Sequence, residues 1–279
     1  IHQLYPTFNL MHDLGSGYSW KVAASRRVQR NNNFELNPIP EREHSETLEQ
    51  GDPELLPEFI TNVETGFVKK LKAGSLFMNA YYQHSKNPIQ RVNSVYSDTI
   101  LHRVFTNADY SSRIGVELGG EGKPLSWLKV NGGVNLYNFK ISGKVLDYLE
   151  TRNNQDLVYS LNAGIQADLS KNWSTGLQVN YLSERPTVQG YDSRFLTPHF
   201  NLSKGFMNGA ITAQLQWQFI ELGNWGVNEQ RITTSADDFY TTTNYIYEKN
   251  VFLINLNFNL HKLNQILKLP KSEFGEKEF

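Results

Sequence analysis

The sequence contains no cysteine and no long apolar run, and each absence removes a class of protein. Without cysteine the chain has neither a disulfide framework nor a thiolate metal site. No apolar segment approaches the roughly 18–20 residues that a membrane helix needs, so a helical membrane protein is excluded. The formal net charge of -1 comes from 27 Lys and Arg against 28 Asp and Glu, and the basic residues are scattered, so nucleic-acid binding has no support.

What the chain does have is a polar average beside many aromatic rings. Hydrophobic residues make up 39% of the sequence and aromatic residues 13%, while the mean hydropathy is -0.49. In the wall of a membrane barrel, alternate residues meet lipid and a wet interior, so the mean composition stays polar although one face is apolar. The composition therefore favours a transmembrane β-barrel.

Period-two alternation over about ten residues recurs along the chain and indicates β-strands. Leu161 and Ile165, for example, alternate with Asn162 and Gln166. The segments that show the pattern best are 128–136, 157–167, 210–219 and 252–260. Each has one apolar face and one face rich in amide side chains, as expected of a wall between lipid and water.

The connections between these strands alternate in length. Short turns rich in Gly, Ser, Asn and Lys lie at 14–17, 72–75, 119–124, 170–172 and 205–209. Long connections lie between them at 29–57, 87–109, 141–155, 184–192 and 220–244. Bacterial barrels have short periplasmic turns and long extracellular loops, which assigns the short turns to the periplasm. We expect the second long connection to carry its own hairpin, with its turn at Asp98.

Aromatic residues close to the short turns support this assignment, because such rings concentrate at membrane interfaces. They are Trp20, Phe77, Trp127, Trp173 and Phe206.

The pattern predicts an all-β chain with about 11 strands of a transmembrane antiparallel β-barrel within residues 1–262. The strands are expected at about 2–13, 18–28, 58–71, 75–86, 110–119, 126–140, 156–168, 173–184, 192–204, 209–219 and 244–261. Residues 263–279 are expected to form a periplasmic tail. A propeller is disfavoured because its strands would recur at a fixed period. A sandwich is disfavoured because it rarely has so many long connections.

The strand count also bears on completeness. Complete bacterial barrels have an even number of strands, whereas this pattern gives an odd number and a first strand that runs toward the periplasm. The sequence also lacks the charged and apolar regions of a signal peptide. These features together predict the C-terminal portion of a longer protein.

Several segments carry more specific motifs. They are SRRVQRNNNFELNP at 25–38, EQGDPELLPEF at 49–59, AYYQHSKNPIQRV at 80–92, LSKGFMNG at 202–209 and LPKSEFGEKEF at 269–279. In these segments the chain resembles the TonB-dependent receptors of Bacteroidota-type bacteria, in their C-terminal "outer membrane protein beta-barrel" region. Asn31 and Leu56 depart from the family pattern, where Pro and Lys are expected, and both fall in a long loop rather than in the barrel.

The resemblance implies the C-terminal half of a 22-stranded barrel in the bacterial outer membrane, filled by a plug that is not present in this chain. It implies import of a nutrient such as a siderophore, glycan or peptide. The implied partners are outer-membrane lipid, the N-terminal barrel half and plug of the same parent protein, a TonB-type energy-coupling protein acting through the plug, and a surface lipoprotein. The alternative is a passive pore or structural barrel component without energised import. An outer-membrane hydrolase is a third, weaker hypothesis.

Residues for chemistry are sparse. No catalytic site, metal site or cofactor is indicated, because the seven histidines lack the spacing of metal ligands. Arg26, Arg27 and Arg30 lie at the outer end of the second strand and are the candidates for contacting an anionic substrate group. The alternative roles are contact with lipid-headgroup phosphates and pairing with the acidic loop. The carboxylates of the loop at 29–57 are expected to be solvated rather than to bind a cation.

Overall fold

The computed structural model describes residues 3–44, 46–145, 149–150, 154–225, 228–237 and 239–259. The first elements are β1 (Thr7–Gly15), β2 (Tyr18–Gln29), α1 (Asn33–Leu36), β3 (Glu41–His44), β4 (Thr47–Gln50), β5 (Glu58–Leu71), β6 (Gly74–Lys86), β7 (Ile89–Ser97), β8 (Ile100–Asn107), β9 (Tyr110–Leu125) and β10 (Leu128–Ser142). The remaining strands are β11 (Lys144–Val145), β12 (Leu149–Glu150), β13 (Asn154–Ser170), β14 (Trp173–Leu182), β15 (Arg185–Pro186), β16 (Gly190–Asp192), β17 (Phe195–Phe206), β18 (Ile211–Gln218), β19 (Glu229–Ser235), β20 (Tyr240–Ile246) and β21 (Val251–Phe258). Two 3-10 turns lie at Met207–Gly209 and Gly223–Trp225. In the part of the chain described, no helix has the length and apolar character to cross a membrane.

One antiparallel sheet of 11 strands organises the chain. Its order is β1-β2-β5-β6-β9-β10-β13-β14-β17-β18-β21, so each strand pairs with its neighbour in the chain once the loop strands are set aside. Among the described residues the sheet is open, and β1 and β21 are its two edges. The 11 strands expected from the sequence are confirmed in number and order.

The two faces of the sheet differ as the alternation predicts. We call them the apolar face and the polar face. On the apolar face Leu161 is 41% exposed, Ile165 51% and Ile254 74%. Burial of apolar area is what normally stabilises a domain, so a sheet that leaves such side chains uncovered needs a non-aqueous environment.

The polar face is lined by amides that lie close to the strands. A Cβ atom added at Gly164 would lie 2.5 Å from Asn131 Oδ1, and one added at Gly176 would lie 2.7 Å from Asn201 Nδ2. Each asparagine therefore extends across the glycine of the neighbouring strand. Glycine at these positions keeps the polar side chains flat against the wall.

The two ends of the sheet also differ. At the short-turn end the strands are joined by tight turns, and at the long-connection end the connections form structure of their own. Two four-stranded sheets, β3-β4-β8-β7 and β15-β16-β19-β20, each combine two different connections. The first is joined by parallel pairing of β4 with β8. The hairpin expected around Asp98 is confirmed as β7 and β8.

Some sequence-based boundaries were wrong. The last predicted strand, 244–261, is divided, because β20 ends at Ile246 and β21 begins at Val251. The first predicted strand, 2–13, begins only at Thr7. The predicted tail at 263–279 lies outside the described residues.

A small core sits at the long-connection end rather than within the sheet. Val92, Ala108, Ile141 and Val188 are buried there and pack with Phe139. Val92 belongs to β7, Ala108 lies between β8 and β9, Ile141 is near the end of β10, and Val188 lies between β15 and β16. One apolar cluster therefore holds separate connections together.

Candidate functional site

The polar face near the long-connection end is the candidate binding surface. Arg113 on β9 is its central cation, with its guanidinium carbon 5.8 Å from the ring centroid of Tyr137 and 5.3 Å from that of Phe139. Cation–π contacts of this kind hold a guanidinium over ring faces while its N–H groups stay available. Across the sheet, Arg113 pairs with Gln83 of β6, and Gln83 pairs with Asn62 of β5.

Further from the long connections the same face carries a linked polar set. Glu64 Oε1 lies 3.4 Å from Lys21 Nζ, and Asn79 Nδ2 donates to Glu64 Oε2 at 3.5 Å. Tyr81 donates its hydroxyl to Asn135 Oδ1 at 3.0 Å. Neutral donors and acceptors dominate, so this surface suits a polar solute that is bound through several hydrogen bonds.

The three arginines expected at a binding site do not share a face. Arg26 pairs with Thr61 and its guanidinium carbon lies 5.6 Å from the ring of Phe59, which places it on the apolar face. Arg27, the next residue, pairs with Ile60 on the polar face. Arg30 is exposed just beyond the end of β2. The binding role of these arginines stays a prediction, with Arg27 and Arg30 the two whose position is compatible with it.

The connections form a layer held by polar contacts. Glu49 on β4 is 4% exposed and makes an ion pair with Arg91 on β7. The side chain of Gln189 makes two hydrogen bonds with the backbone of Asn93, at 2.7 and 2.8 Å. Arg185 binds Asp192 through Nη2 at 2.6 Å. The expectation that the carboxylates of loop 29–57 are solvated is therefore wrong for Glu49, which binds within the layer.

One histidine of this layer is electrostatically perturbed. His102 on β8 has its Nε2 2.9 Å from Gln50 Oε1. Burial disfavours the charged form and lowers the pKa of His102 from its ordinary value. Within the described residues, no group of three or more His, Asp or Glu side chains could hold a metal ion.

A belt of aromatic side chains marks the short-turn end of the apolar face. Lys69 Nζ lies 3.3 Å from the ring centroid of Tyr18, and Lys204 Nζ lies 4.6 Å from Trp173 and 4.9 Å from Phe206. Rings with cations beside them are typical of a membrane interface. The belt consists of Tyr18, Trp20, Trp173 and Phe206. Trp127 lies in the turn between β9 and β10.

Phe77 corrects the expectation for this belt. Its neighbours in sequence, Leu76 and Met78, pair with Lys69 and Phe67 on the apolar face, so Phe77 points to the polar face. There its ring lies across Gly119, whose added Cβ would be 2.6 Å from Phe77 Cζ. Phe77 is therefore not an interface ring.

One large groove is apolar and lies on the apolar face. It has a volume of about 640 Å³, and its lining includes Val63, Tyr82, Ile114, Leu136 and Leu157. A groove lined mainly by apolar side chains suits an acyl chain rather than a polar ligand.

Comparison with known proteins identifies the setting of this sheet. Residues 1–258 match the family model described as "Outer membrane protein beta-barrel family". The chain belongs to this family. It lies in the bacterial outer membrane, its apolar face meets lipid and its polar face lines the barrel lumen. A search of curated proteins gave no match.

Solved structures show the same fold at low sequence identity. The siderophore receptor PirA from Pseudomonas aeruginosa is 16% identical with a TM-score of 0.56, covering 77% of this chain and 38% of that chain. The FrpB iron transporter from Neisseria meningitidis is 14% identical with a TM-score of 0.53, covering 77% and 34%. The G324V mutant of the ferric enterobactin receptor PfeA from Pseudomonas aeruginosa is 15% identical with a TM-score of 0.51, covering 77% and 34%. The matched part is thus well under half of each of these proteins.

The sequence pointed to some of these residues and missed others. Arg113, Gln83 and Asn62 all occupy polar-face positions, which alternation counted outward from the strand centres would have found. The burial of Glu49 had no such signal, because its partner Arg91 lies 42 residues away.

Proposed function

We propose that this chain forms part of the wall of an outer-membrane import receptor. The observation that carries the proposal is the polar face, a continuous surface of amides that leads from the loop layer to the short-turn end. The likeness of the sheet to the barrels of a siderophore receptor and an iron transporter supports it.

In this proposal the chain supplies strands twelve to twenty-two of a 22-stranded barrel. The N-terminal barrel half and a plug come from the same parent protein, and a TonB-type energy-coupling protein acts on the plug. A surface lipoprotein is a further predicted partner. The two edge strands, β1 and β21, support the presence of an N-terminal barrel half. An unpaired strand edge in lipid leaves backbone N–H and C=O groups without partners.

The nutrient binds, in this proposal, where Arg113, Gln83 and Asn62 line the lumen below the loop layer. Arg113 offers two or more N–H groups in a fixed plane, which suits a carboxylate, a phosphate or a ring hydroxyl pair. The flanking rings of Tyr137 and Phe139 add contact area for a planar group. A siderophore, an acidic glycan and a peptide all present groups of these kinds.

The test is accumulation of labelled nutrient by cells that express the intact protein, with and without the energy-coupling protein. The panel contains a ferric siderophore, an oligosaccharide and an oligopeptide. We expect one of them to bind at the cell surface in both strains and to accumulate only in the strain with the coupling protein, because binding needs only the barrel. Accumulation that persists without the coupling protein would support the passive pore instead.

A substitution locates the binding surface. Arg113→Ala is expected to weaken surface binding about tenfold, because one charge-assisted contact contributes about 1.5 kcal/mol. Lys204→Ala is the matched control, since it removes a cation from the apolar face at the opposite end. Equal binding by both variants would show that Arg113 does not contact the nutrient.

A further inference from the structure

Four basic side chains form a cluster on the apolar face at its long-connection end. We call Arg26, His84, Lys86 and Lys140 the basic rim. The pairing of neighbouring strands places Arg26, Thr61, His84, Ser112 and Lys140 in one row across β2, β5, β6, β9 and β10. Lys86 lies in the next row, opposite Tyr110.

Aromatic rings on the same face contact three of these side chains. Lys140 Nζ lies 5.7 Å from the ring centroid of Tyr110, and the His84 ring stacks on Tyr110 at 5.8 Å. Arg26 contacts Phe59 on the other side of the cluster. Arg26, His84 and Lys140 therefore lie beside rings, and all four basic side chains are exposed or half-buried.

Among the residues that the structure describes, no carboxylate balances the charge of the cluster. In the described part of the chain, Arg26, Lys86 and Lys140 make no ion pair with a carboxylate. The two rows hold no Asp or Glu at an apolar-face position; beside the basic residues they contain Thr61, Ser112, Val28, Phe59, Tyr110 and Ser142. Cations at the border of a lipid-facing surface without an internal counter-ion are costly unless anions of the membrane neutralise them.

The position of the cluster along the membrane normal determines which anions it can contact. The row beneath it is mainly apolar, with Ala24, Val63, Tyr82 and Ile114, and it reaches Asn138 on β10. The basic rim therefore begins where the apolar band ends, at the extracellular side. In a bacterial outer membrane, the headgroups at that level are those of the outer leaflet.

The distance across the cluster requires a headgroup with more than one anionic group. Arg26 and Lys140 are separated by four strand spacings, which is about 19 Å at about 4.8 Å per spacing. A hydrogen bond to phosphate is about 3 Å long, so a single phosphate cannot contact both ends of the cluster. We propose that the basic rim binds the phosphates of a phosphorylated glycolipid of the outer leaflet, whose acyl chains then lie along the apolar face below.

The test measures glycolipid binding by the intact protein after it has been purified and exchanged into nanodiscs. The probe is diphosphorylated lipid A at increasing mole fraction in a neutral phosphatidylcholine nanodisc. One variant carries Arg26→Gln, Lys86→Gln and Lys140→Gln. The control variant carries Lys69→Gln, Lys171→Gln and Lys204→Gln, which removes the same charge from the short-turn end.

We expect the rim variant to bind the glycolipid about a hundredfold more weakly than the unchanged protein, and the control variant to bind it normally. About fivefold per cation follows from the interaction of a basic residue with an anionic membrane surface. The three single rim variants are measured as well, each with an expected loss of about fivefold, so that a triple variant that fails to insert still leaves the proposal testable.

Three results would overturn the proposal. The rim variant could bind the glycolipid as well as the unchanged protein, or the control variant could lose as much affinity, which would indicate a general effect of net charge. Equal binding of dephosphorylated lipid A or of phosphatidylglycerol would remove the phosphorylated glycolipid as the specific ligand. Competition by inorganic phosphate at equal phosphate concentration would indicate a site for the free ion.

Discussion

Val134→Arg tests the assignment of faces most directly. Val134 lies on the apolar face of β10, where it pairs with Leu118 and Leu161. It is about midway between Trp127 in the turn before β10 and Lys140 in the basic rim. At about 3.4 Å per residue and a tilt of about 40°, these two levels are about 34 Å apart, so they lie on either side of an apolar band of about 25 Å. Val134 is therefore close to the middle of the bilayer.

An arginine at that depth is expected to cost about 2–4 kcal/mol. This corresponds to about a thirtyfold to seven-hundredfold change in the unfolding equilibrium constant. Asn162→Arg is the matched control, because Asn162 pairs with the adjacent Gly133 but points to the lumen. We expect it to cost less than about 1 kcal/mol. Val130→Arg, close to the aromatic belt, is expected to cost about 0–1 kcal/mol.

The measurement is guanidinium unfolding of the intact protein in phospholipid vesicles. Equal costs for Val134→Arg and Asn162→Arg would refute the face assignment. If Val130→Arg cost as much as Val134→Arg, the assignment of Val134 to the middle of the bilayer and of Val130 to its edge would be refuted.

Two further predictions concern the loop layer. Gly190→Ala is expected to destabilise the sheet β15-β16-β19-β20 by about 1–3 kcal/mol, because its Cβ would lie 2.1 Å from the backbone oxygen of Thr233. On intact cells, Gly190→Ala should speed protease cleavage between residues 219 and 250. Gly164→Ala should not, because its Cβ meets only the movable side chain of Asn131. Equal cleavage of the two variants would contradict this prediction. The lowered pKa of His102 means that the unfolded loop binds more protons between that pKa and the ordinary value of 6.5, so the folded loop loses stability as pH falls through this window. Protease protection of residues 87–109 should fall as the pH is lowered below 6.5 and should not fall in His102→Gln. Protection that does not depend on pH in the unchanged protein would exclude this role for His102.

Alternation and connection length were enough to predict the sheet, because both are local properties of the sequence. Residues that alternate along β13, such as Leu161 and Asn162, take opposite faces whatever their partners are. The short turns then define which strands are neighbours. The order of the 11 strands follows from these two patterns alone.

The loop layer could not be predicted in the same way, because its contacts join distant segments. Thr47 of β4 pairs with Leu101 of β8, and Gln189 binds the backbone of Asn93. No local pattern indicates which connection a loop strand will join. For the same reason, the carboxylates of loop 29–57 could not be separated by sequence into the buried Glu49 and its exposed neighbours.

Arg26 and Arg27 show how one step along a strand separates two environments. Successive side chains of a strand point to opposite faces, and in a barrel wall one of these faces meets lipid while the other meets the lumen. Adjacent basic residues that look like one binding motif in the sequence therefore lie on opposite faces of the barrel wall. Arg26 joins cations contributed by β6 and β10, more than 50 residues away in the chain, while Arg27 faces the lumen. For this reason, candidate ligands of a barrel strand have to be assigned face by face, and the register with neighbouring strands, rather than proximity in sequence, determines which residues act together.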